Sequence, residues 1–326
     1  MKFWPLFKVL PVRTHFRFVR LSRVFAALSV LAIVGSLFLT LFPFKPPCGG
    51  LACGIDFQGG TVMEISTSPA PADPAKVHAA LSGMNLNETV QTAGGPGLAL
   101  LRFEAPKGAD ISATVTQVTN RLKGAFGTVR VVSTDVVGPT VSGELLTSGM
   151  LGLGFAILAM LLYIWFRFEL QFGLGAVAAL FHDVFLTFGL IAIMGRLGKI
   201  EFDLKAVAAI LTIIGYSMND TVVVFDRFRE NLRKYKRMPL GEVIDMSINE
   251  MLTRTIITSM TAVLALVALA FFGGPTLYSL SVIMLFGIAI GTYSSIYIAA
   301  PVILLWGVKR GGDDEEAVPL KPATVR

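Results

Sequence analysis

The stretch GYSMNDTVVVFDRFREN, residues 215–231, ends an apolar segment that begins near Leu204. This segment is hydrophobic enough to lie in lipid, yet it contains four polar side chains, namely Tyr216, Ser217, Asn219 and Asp220. A carboxylate at membrane depth costs at least ~2.5–3.5 kcal/mol, so such residues usually serve a transport pathway, a proton relay or a buried pair. The stretch therefore indicates a membrane helix whose polar face has a function.

The composition is that of a membrane protein. The chain has 326 residues, of which 54% are hydrophobic and 15% are charged, whereas soluble proteins carry about 25% charged residues. The net charge of +6 is compatible with nucleic-acid binding, but the basic residues cluster beside apolar segments, which membrane topology explains better. We therefore expect the chain to lie in a lipid bilayer and to have no nucleic-acid partner.

The sequence contains no motif for catalysis or for a bound metal. Neither of its two cysteines has a histidine at a metal-ligand spacing. No Ser-His-Asp arrangement, Walker motif or nucleotide-binding loop occurs either. We therefore predict that the protein is not an enzyme and that it has no metal or other cofactor.

Six apolar segments are long enough to cross a bilayer, which takes about 20 residues. They lie at residues 24–43, 146–166, 172–194, 204–226, 253–273 and 279–306. The apolar core of the first segment is longer than that of a signal peptide, and no A-x-A cleavage site follows it before Lys45. We therefore interpret the first segment as an uncleaved anchor of a polytopic α-helical membrane protein.

The basic residues set the orientation of the six segments. Two large basic clusters lie in the arm at residues 1–23 and in the loop after the fourth segment, and the tail at residues 307–326 adds Lys309 and Arg310. The positive-inside rule places all three regions in the cytoplasm, together with both termini. Residues 44–145 then form one domain on the other side of the membrane.

Residues 44–145 have the pattern of an α+β domain. Alternation of apolar and polar residues predicts strands at TVMEIST, NETVQTA, LALLRFE and TVRVVSTDVV. Helix starts are predicted at Asp73-Pro74 and at Asp110, where Ile111 opens the apolar face of the second helix. The resulting order βαββαβ is that of a ferredoxin-like fold, inserted between the first and second membrane helices.

Two polar stripes with opposite charge are predicted at a similar depth in the membrane. On the fourth helix, the polar residues near one face, at steps of three, four and seven, are Thr212, Tyr216, Asn219 and Asp220. The stripe on the fifth helix consists of Arg254, Thr258 and Thr261. Pairing of Asp220 with Arg254 is therefore geometrically reasonable.

Two interpretations of this pair remain open. It can be a structural ion pair that fixes helix packing, or Asp220 can exchange a proton as Arg254 approaches and withdraws, because both burial and a nearby charge shift the pKa of a carboxyl group. Proton exchange would let the membrane potential, worth ~2.3 kcal/mol per charge per 100 mV, drive a conformational change.

Two further motifs lie within the predicted membrane helices. His182 and Asp183 form a second ionisable pair in the third segment. A hydrogen-bonded packing role suits them at least as well as a proton relay, so we assign them a supporting role. Gly287 and Gly291, four residues apart in the sixth segment, predict a small-residue contact face for another helix.

GIDFQGGT, residues 54–61, is a glycine-rich loop that follows the first segment. It matches neither a P-loop nor a dinucleotide-binding fingerprint, and it lies on the side of the membrane away from nucleotides. We predict that Gly59 and Gly60 shape the exit of the chain from the membrane and that Asp56 is available to a partner.

Two short motifs lie at the ends of the domain. Gly138-Pro139 marks a bend where the chain returns to the second segment. Cys48 and Cys53 lie outside the membrane on the side where disulfides persist. A bridge across this short loop and a pair of free thiols are both compatible with the sequence.

Five motifs keep a fixed order around the six segments. They are GIDFQGG after the first, VGPTVSGEL before the second, HDV in the third, GYSMNDTVVVFDRFREN in the fourth, and NEMLTRTIITS at the start of the fifth. In this order they resemble the SecD/SecF family of protein-export membrane proteins, over most of the chain. The CGGLAC stretch before GIDFQGG departs from the family pattern.

The resemblance implies a function in protein translocation by the Sec pathway. It implies membership of the resistance–nodulation–division superfamily, a place in the bacterial inner membrane, and a periplasmic position for the α+β domain. It also implies a complex with SecD, the SecYEG translocon and YajC that uses proton-motive force to promote the export of preproteins. On the family pattern, Asp220 and Arg254 match the aspartate and arginine tied to proton transport, and another aspartate would come from SecD.

Two other functions remain open. Six spans with one domain of about 100 residues make half of a parallel-repeat transporter, so the chain can also be a half-transporter that exports a small molecule or lipid. A structural assembly factor without ion coupling is the third interpretation. Co-purification with SecD and SecYEG separates export from efflux, and proton flux separates both from assembly.

Overall fold

The computed structural model describes residues 14–44, 47–69, 71–84, 86, 88–92, 97–104 and 110–308. Most of the predicted basic arm and almost all of the predicted tail, with Lys309 and Arg310, lie outside the described residues. In chain order the elements are α1 (Phe18–Leu41), α2 (Ile55–Gln58), β1 (Gly60–Pro69), α3 (Pro74–Leu81), β2 (Thr89–Thr92), β3 (Leu98–Phe103), α4 (Ile111–Phe126), β4 (Gly127–Val137), α5 (Pro139–Arg167), α6 (Leu170–Arg196), α7 (Leu204–Lys234), α8 (Leu240–Phe272), α9 (Gly274–Ser294), a π-helical turn (Ser295–Ala299) and α10 (Ala300–Trp306).

Among the described residues, six helical segments are long and apolar enough to cross a membrane, which agrees with the predicted number. They are α1, α5, α6, α7, α8 and the continuous run from α9 through the π-helical turn to α10. Several helices extend beyond the apolar stretches: α5 begins at Pro139 and α8 begins at Leu240. The basic residues 227–234, expected in a loop, are instead the last turns of α7, because a helix continues past the hydrocarbon wherever its residues favour it.

The six spans fall into a central and a peripheral group. In the most apolar part of α6 and α7, 56% and 50% of the residues are buried, and the figure for the sixth span is 44%. In α1, α5 and α8 it is only 6%, 6% and 11%. The peripheral helices therefore turn most of their apolar surface outward.

Close contact between two central helices depends on glycine. Gly287 lies against Ile213 and Gly291 lies against Ser217, so that a Cβ atom at either glycine would collide with α7. The predicted small-residue face of the sixth span is confirmed, and its partner is α7.

The region between α1 and α5 contains the predicted order of strands and helices, preceded by the short helix α2. Its sheet has the strand order β2-β3-β1-β4 with all neighbours antiparallel. We call residues 60–137 the sheet domain. Met63 of β1 and Leu101 of β3 are fully buried and face Val118 and Leu122 of α4 in one separate core.

The predicted helix starts in the sheet domain are confirmed. Asp73 accepts a hydrogen bond from the backbone N–H of Ala75, and Asp110 accepts one from Ser112, so each carboxylate caps its helix. Ile111, expected on the apolar face, is instead 39% exposed, since it is the first residue of α4 and lies outside the domain core.

Candidate functional site

Asp220 lies where three membrane helices meet. Its Oδ1 accepts a hydrogen bond from Thr255 Oγ1 of α8 at 3.0 Å, and its Oδ2 accepts one from Ser295 Oγ of the π-helical turn at 2.8 Å. Thr255 is 4% exposed and Ser295 is fully buried. A carboxylate on α7 thus holds two hydroxyl donors from two other spans.

The predicted pairing of Asp220 with Arg254 is absent from the described residues, and this corrects the sequence interpretation. Arg254 is exposed, and no carboxylate lies within ion-pair distance of it in the part of the chain that the structure describes. Its neighbour Thr255 is the residue that reaches Asp220. One residue along a helix turns the side chain by about 100°, so Arg254 shares the depth of Asp220 but points elsewhere.

The other residues of the two predicted stripes divide in the same way. Thr258 and Thr261 are exposed with Arg254, and Thr261 Oγ1 donates only to the Thr258 carbonyl of its own helix. Asn219 is exposed on α7. Tyr216 does face the bundle, where its OH donates to Ser259 Oγ of α8 at 3.3 Å.

His182 and Asp183 are more buried within the protein than Asp220, since each is only 1% exposed. Their side chains are hydrogen-bonded to one another, with 2.8 Å between His182 Nδ1 and Asp183 Oδ1. Ser294 Oγ of α9 donates to Asp183 Oδ2 at 2.8 Å, and Ser217 Oγ of α7 donates to the same oxygen. The third, fourth and sixth spans therefore share a second buried carboxylate.

Sequence reasoning missed the hydroxyl groups that complete both sites. Ser294 and Ser295 are consecutive residues inside an apolar segment, and Thr255 directly follows Arg254, the first residue of the predicted stripe of α8. The sequence does indicate the serine pair, as two adjacent polar residues within an apolar segment. Serine and threonine are common in membrane helices, however, because they can bond their own backbone, so they give a weak signal.

A second cluster joins the sheet domain to the membrane helices. Asp56, in the short helix α2, accepts a hydrogen bond from the backbone N–H of Leu204 at 2.9 Å, in the first turn of α7. Asp203 caps the same turn by accepting from the N–H of Ala206 at 2.8 Å. Asp56, predicted to be available to a partner, thus has a partner within the chain.

The backbone extends this connection. Phe202 N–H donates to the carbonyl of Ala52 at 2.6 Å, and Gly54 N–H donates to the carbonyl of Phe202 at 2.8 Å. The loop before α7 therefore pairs with the loop before α2 like two short strands, close to the start of the sheet domain.

Arg102 of β3 adds side-chain contacts to this connection. We call Arg102, Asp56, Glu201 and Asp203 together the domain joint. Its guanidinium donates to the Cys53 carbonyl and, at 2.9 Å, to Gln58 Oε1. It also lies 3.5 Å from Glu201 Oε1. One arginine of the sheet domain thus contacts both loops.

Burial raises the pKa values of the two acids beside this arginine. For Glu201 the loss of hydration outweighs the opposing effect of Arg102, so its pKa lies above the usual range. Burial also raises the pKa of Asp203, against the hydrogen bond from Ala206 N–H. The joint thus contains carboxyl groups that resist ionisation.

Gly59 and Gly60, the predicted hinge at the exit of the chain from the membrane, adopt backbone conformations that explain why glycine occupies both positions. Gly59 and Gly60 have φ values of +80° and +117°, a region that side-chain-bearing residues rarely enter. Carbonyls of Val137 and Phe103 also approach the positions where their Cβ atoms would lie. Gly138 and Pro139 form the junction at which β4 ends and α5 begins, with Pro139 in the first turn.

Cys48 and Cys53 form a disulfide in the structure. Of the two interpretations that the sequence left open, the bridge is the one that the structure contains. The bridge closes the loop between the end of α1 and the Ala52–Phe202 pairing. No group of three or more His, Cys, Asp or Glu side chains that could hold a metal occurs among the described residues.

The fold and the site define a class: a multi-pass membrane protein with one small antiparallel sheet and a polar network inside its helix bundle. The family described as protein export membrane protein SecD/SecF, C-terminal, matches residues 117–309, and the SecD/SecF GG motif matches residues 54–71. The chain therefore belongs to the SecD/SecF family, and it is a transmembrane protein of protein transport.

Similar proteins agree with this assignment. The chain is 42% identical to a protein translocase subunit SecF of Cereibacter sphaeroides, over 95% of both chains. It is 38% identical to one of Rickettsia bellii, over 95% of this chain and 99% of that one. The crystal structure of SecDF from Thermus thermophilus has a TM-score of 0.77 at 28% identity and covers 92% of this chain, which spans only 40% of the SecDF chain.

Proposed function

We propose that this chain is one subunit of a SecD–SecF complex in the bacterial inner membrane, which associates with SecYEG and uses proton-motive force to promote protein export. The observation that carries the proposal is Asp220, a carboxylate in the bundle with hydroxyl donors from two neighbouring spans. Relatives named as translocase subunits SecF support the role in translocation.

Proton binding at Asp220 would change the packing of three helices. An ionised carboxylate only accepts hydrogen bonds, so it suits the hydroxyl donors Thr255 and Ser295. When it is protonated it becomes a donor itself, and one of those hydroxyl groups must find another acceptor. Protonation therefore favours a different arrangement of α7 against α8 and the sixth span.

Arg254 explains why a second subunit is needed. It lies at the depth of Asp220, on the outer face of a peripheral helix. A guanidinium exposed to lipid at that depth is unfavourable by ~2.5–3.5 kcal/mol on insertion scales. We assign its partner to the facing helices of SecD, which would supply the acidic group that the described residues of this chain do not place beside it. We place the exchange of the proton near that interface.

The domain joint would carry the change at Asp220 to the sheet domain. Asp220 and the joint lie on the same helix, α7, whose first turn holds Asp56 and Asp203. Arg102 then connects that turn to β3. We place the sheet domain, which has the strand order of a ferredoxin-like fold, in the periplasm with both termini in the cytoplasm, where it would hold an emerging preprotein and limit its backward movement.

The partners of the proposed complex can be tested by co-purification. A tagged form of this chain, extracted in mild detergent, should retain SecD and SecYEG, and in smaller amount YajC. Recovery of SecD alone, together with export of a small molecule or lipid by the reconstituted pair, would favour a half-transporter instead.

The role of Asp220 can be tested by export into inner-membrane vesicles with and without a proton gradient. Asp220→Asn should abolish the stimulation of export by the gradient, with at least a tenfold loss, while SecD still co-purifies. Asp226→Asn is the matched control, because Asp226 lies on the same helix but pairs with Arg167 at 2.8 Å at the exposed end. Equal stimulation in both variants would show that Asp220 is structural.

A further inference from the structure

The network around Asp183 has contacts that a packing role does not require. Asp183 accepts from Ser294 and Ser217 at one oxygen and contacts His182 Nδ1 at the other, so its acceptor positions are occupied from three directions. Both His182 and Asp183 are 1% exposed. A carboxylate so buried is costly to ionise unless a positive group balances it.

His182 can supply that balance because its second nitrogen also has a polar contact. Its Nε2 lies 3.2 Å from Ser29 Oγ of α1, and Ser29 Oγ lies 2.8 Å from the OH of Tyr293. The imidazole also stacks on the Tyr293 ring, with 5.8 Å between centroids. Among the described residues, Tyr293 is the one other titratable side chain in contact with this network, and no Lys or Arg side chain contacts His182 or Asp183.

The two carboxylates are connected through adjacent residues of the sixth span. Ser294 bonds Asp183 and Ser295 bonds Asp220. On α7, Ser217, which bonds Asp183, is three residues from Asp220. Both α7 and the sixth span therefore contribute to the site around Asp183 and to the site around Asp220. The π-helical turn begins at Ser295, and such turns occur mostly at functional positions of helices.

Each serine also has an alternative acceptor one turn back in its own helix. Ser294 Oγ lies 3.1 Å from the carbonyl of Gly291, and Ser295 Oγ lies 3.0 Å from that of Thr292. A carboxylate that becomes protonated can therefore release its serine without leaving a buried hydroxyl group unpaired, which would be destabilising. The serine pair is built to change partners.

We propose that His182 and Asp183 are a second proton-binding site of the same transport cycle, coupled to Asp220 through Ser294 and Ser295. This inference rests on the proposed function. In the deprotonated state, neutral His182 donates Nδ1–H to anionic Asp183, and the pair carries one negative charge. An added proton binds Nε2, which then donates to Ser29 Oγ, and the pair becomes neutral overall.

The coupling between the sites follows from their charges. With both sites deprotonated, two negative charges lie in one buried network, so protonation of one lowers the proton affinity of the other. A proton at His182 therefore favours ionised Asp220, which holds Ser295 and Thr255. Release of that proton favours protonated Asp220 and frees Ser295 to bond Thr292.

The test is proton flux through the complex of this chain with SecD, reconstituted in lipid vesicles under an imposed pH gradient. His182→Gln keeps hydrogen-bonding atoms but cannot bind the extra proton. It should lower the flux at least tenfold and remove one limb of its pH profile, with an unchanged yield of assembled complex. Wild-type flux with a wild-type pH profile would overturn the inference.

Ser294→Ala keeps the inference testable if His182→Gln fails to assemble. This variant removes one buried oxygen and should shift the pH profile of the flux. Ser281→Ala is the matched control, because Ser281 is equally buried on α9 and, within the described part of the chain, its hydroxyl bonds the Leu277 carbonyl of its own helix and no carboxylate. Identical profiles for the two serine variants would contradict the coupling.

Asp220→Asn, measured in parallel, separates this inference from the proposed function. If Asp220→Asn stops the flux while His182→Gln and Ser294→Ala conduct like wild type, only the second site is wrong. If Asp220→Asn also conducts normally, the proton-coupled function itself is wrong.

Discussion

The central and peripheral helices of the bundle treat polar residues differently. In α6, α7 and the sixth span, Asp183, Ser217 and Ser294 are buried, and both serines donate to the Asp183 carboxylate. On the outer face of α8, Arg254 is exposed and without an ion-pair partner in the described chain. The central helices thus contain a hydrogen-bonded polar network, whereas the outer face of α8 presents a charge that has no ion-pair partner among the described residues.

The largest expected effect comes from the outer face of α8. Arg254→Leu should abolish the stimulation of export by a proton gradient, with at least a tenfold loss, because the partner's acidic group loses its counter-charge. Arg254→Lys should be impaired as well, since lysine lacks the planar fork that binds a carboxylate with two hydrogen bonds. The measurement is gradient-dependent export into vesicles.

A matched control for this face is Leu264→Ala, because Leu264 is 60% exposed on the same helix and carries no charge. It should export normally. If Arg254→Leu also exports normally and the complex becomes more stable, then Arg254 faces lipid. The proposal that the outer face of α8 pairs with an acidic group of another protein would then be wrong.

The glycine contact between α7 and α9 should distinguish the two groups through stability. Gly287→Ala would force a methyl group into Ile213 and should destabilise the bundle by about 1–3 kcal/mol, the usual cost of overpacking. Gly152→Ala on peripheral α5 has open space around it and should be neutral or stabilising by about 0.5–1 kcal/mol. Thermal unfolding in detergent measures both, and equal effects would contradict the assignment of α9 to the centre.

Two threonines on α8 test the comparison within a single helix. Thr255→Val removes a hydrogen bond to Asp220 at nearly constant volume and should lower proton flux about fivefold, the equivalent of ~1 kcal/mol. Thr258→Val, on the exposed face, should have less effect. A larger loss from Thr258→Val would mean that the face of α8 turned toward Asp220 has been misassigned.

The smallest effect concerns pH and the domain joint. Burial raises the folded-state pKa of Glu201, so the folded state binds more protons than the unfolded state above the ordinary pKa of 4.5. The stability that Glu201 contributes is therefore complete below that pH and decreases as the pH rises through the folded-state pKa. Glu201→Gln should flatten this dependence in thermal unfolding curves, whereas Glu104→Gln, at an exposed carboxylate, should leave it unchanged.

The sequence was sufficient to predict the helices and strands but not how each membrane helix is rotated about its own axis. Six spans and the βαββαβ order follow from hydropathy and alternation, which are local properties. Arg254 and Thr255 differ by one position, and which of them faces Asp220 depends on how α8 is turned about its axis. Packing against α7 and α9 sets that angle, so spacing alone could place Arg254, Thr258 and Thr261 on one face but not choose the face.

The buried network shows the second limit. His182-Asp183 was visible as an ionisable pair, and Ser217 was visible in the fourth span. Their connection through Ser294 requires α6, α7 and α9 to be adjacent, and adjacency of helices distant in sequence is not encoded in any single segment. The domain joint was missed for the same reason, since Arg102 and Glu201 are far apart in the chain.

Proton flux through the reconstituted complex is the most direct test of whether Asp220 carries protons. The complex of this chain with SecD would be reconstituted in vesicles, and the rate of internal acidification under an imposed gradient would be measured for wild type, Asp220→Asn and Asp226→Asn. We expect Asp220→Asn to conduct at least tenfold more slowly than the wild type and Asp226→Asn to match the wild type. Equal rates in all three complexes would contradict a role for Asp220 in carrying protons.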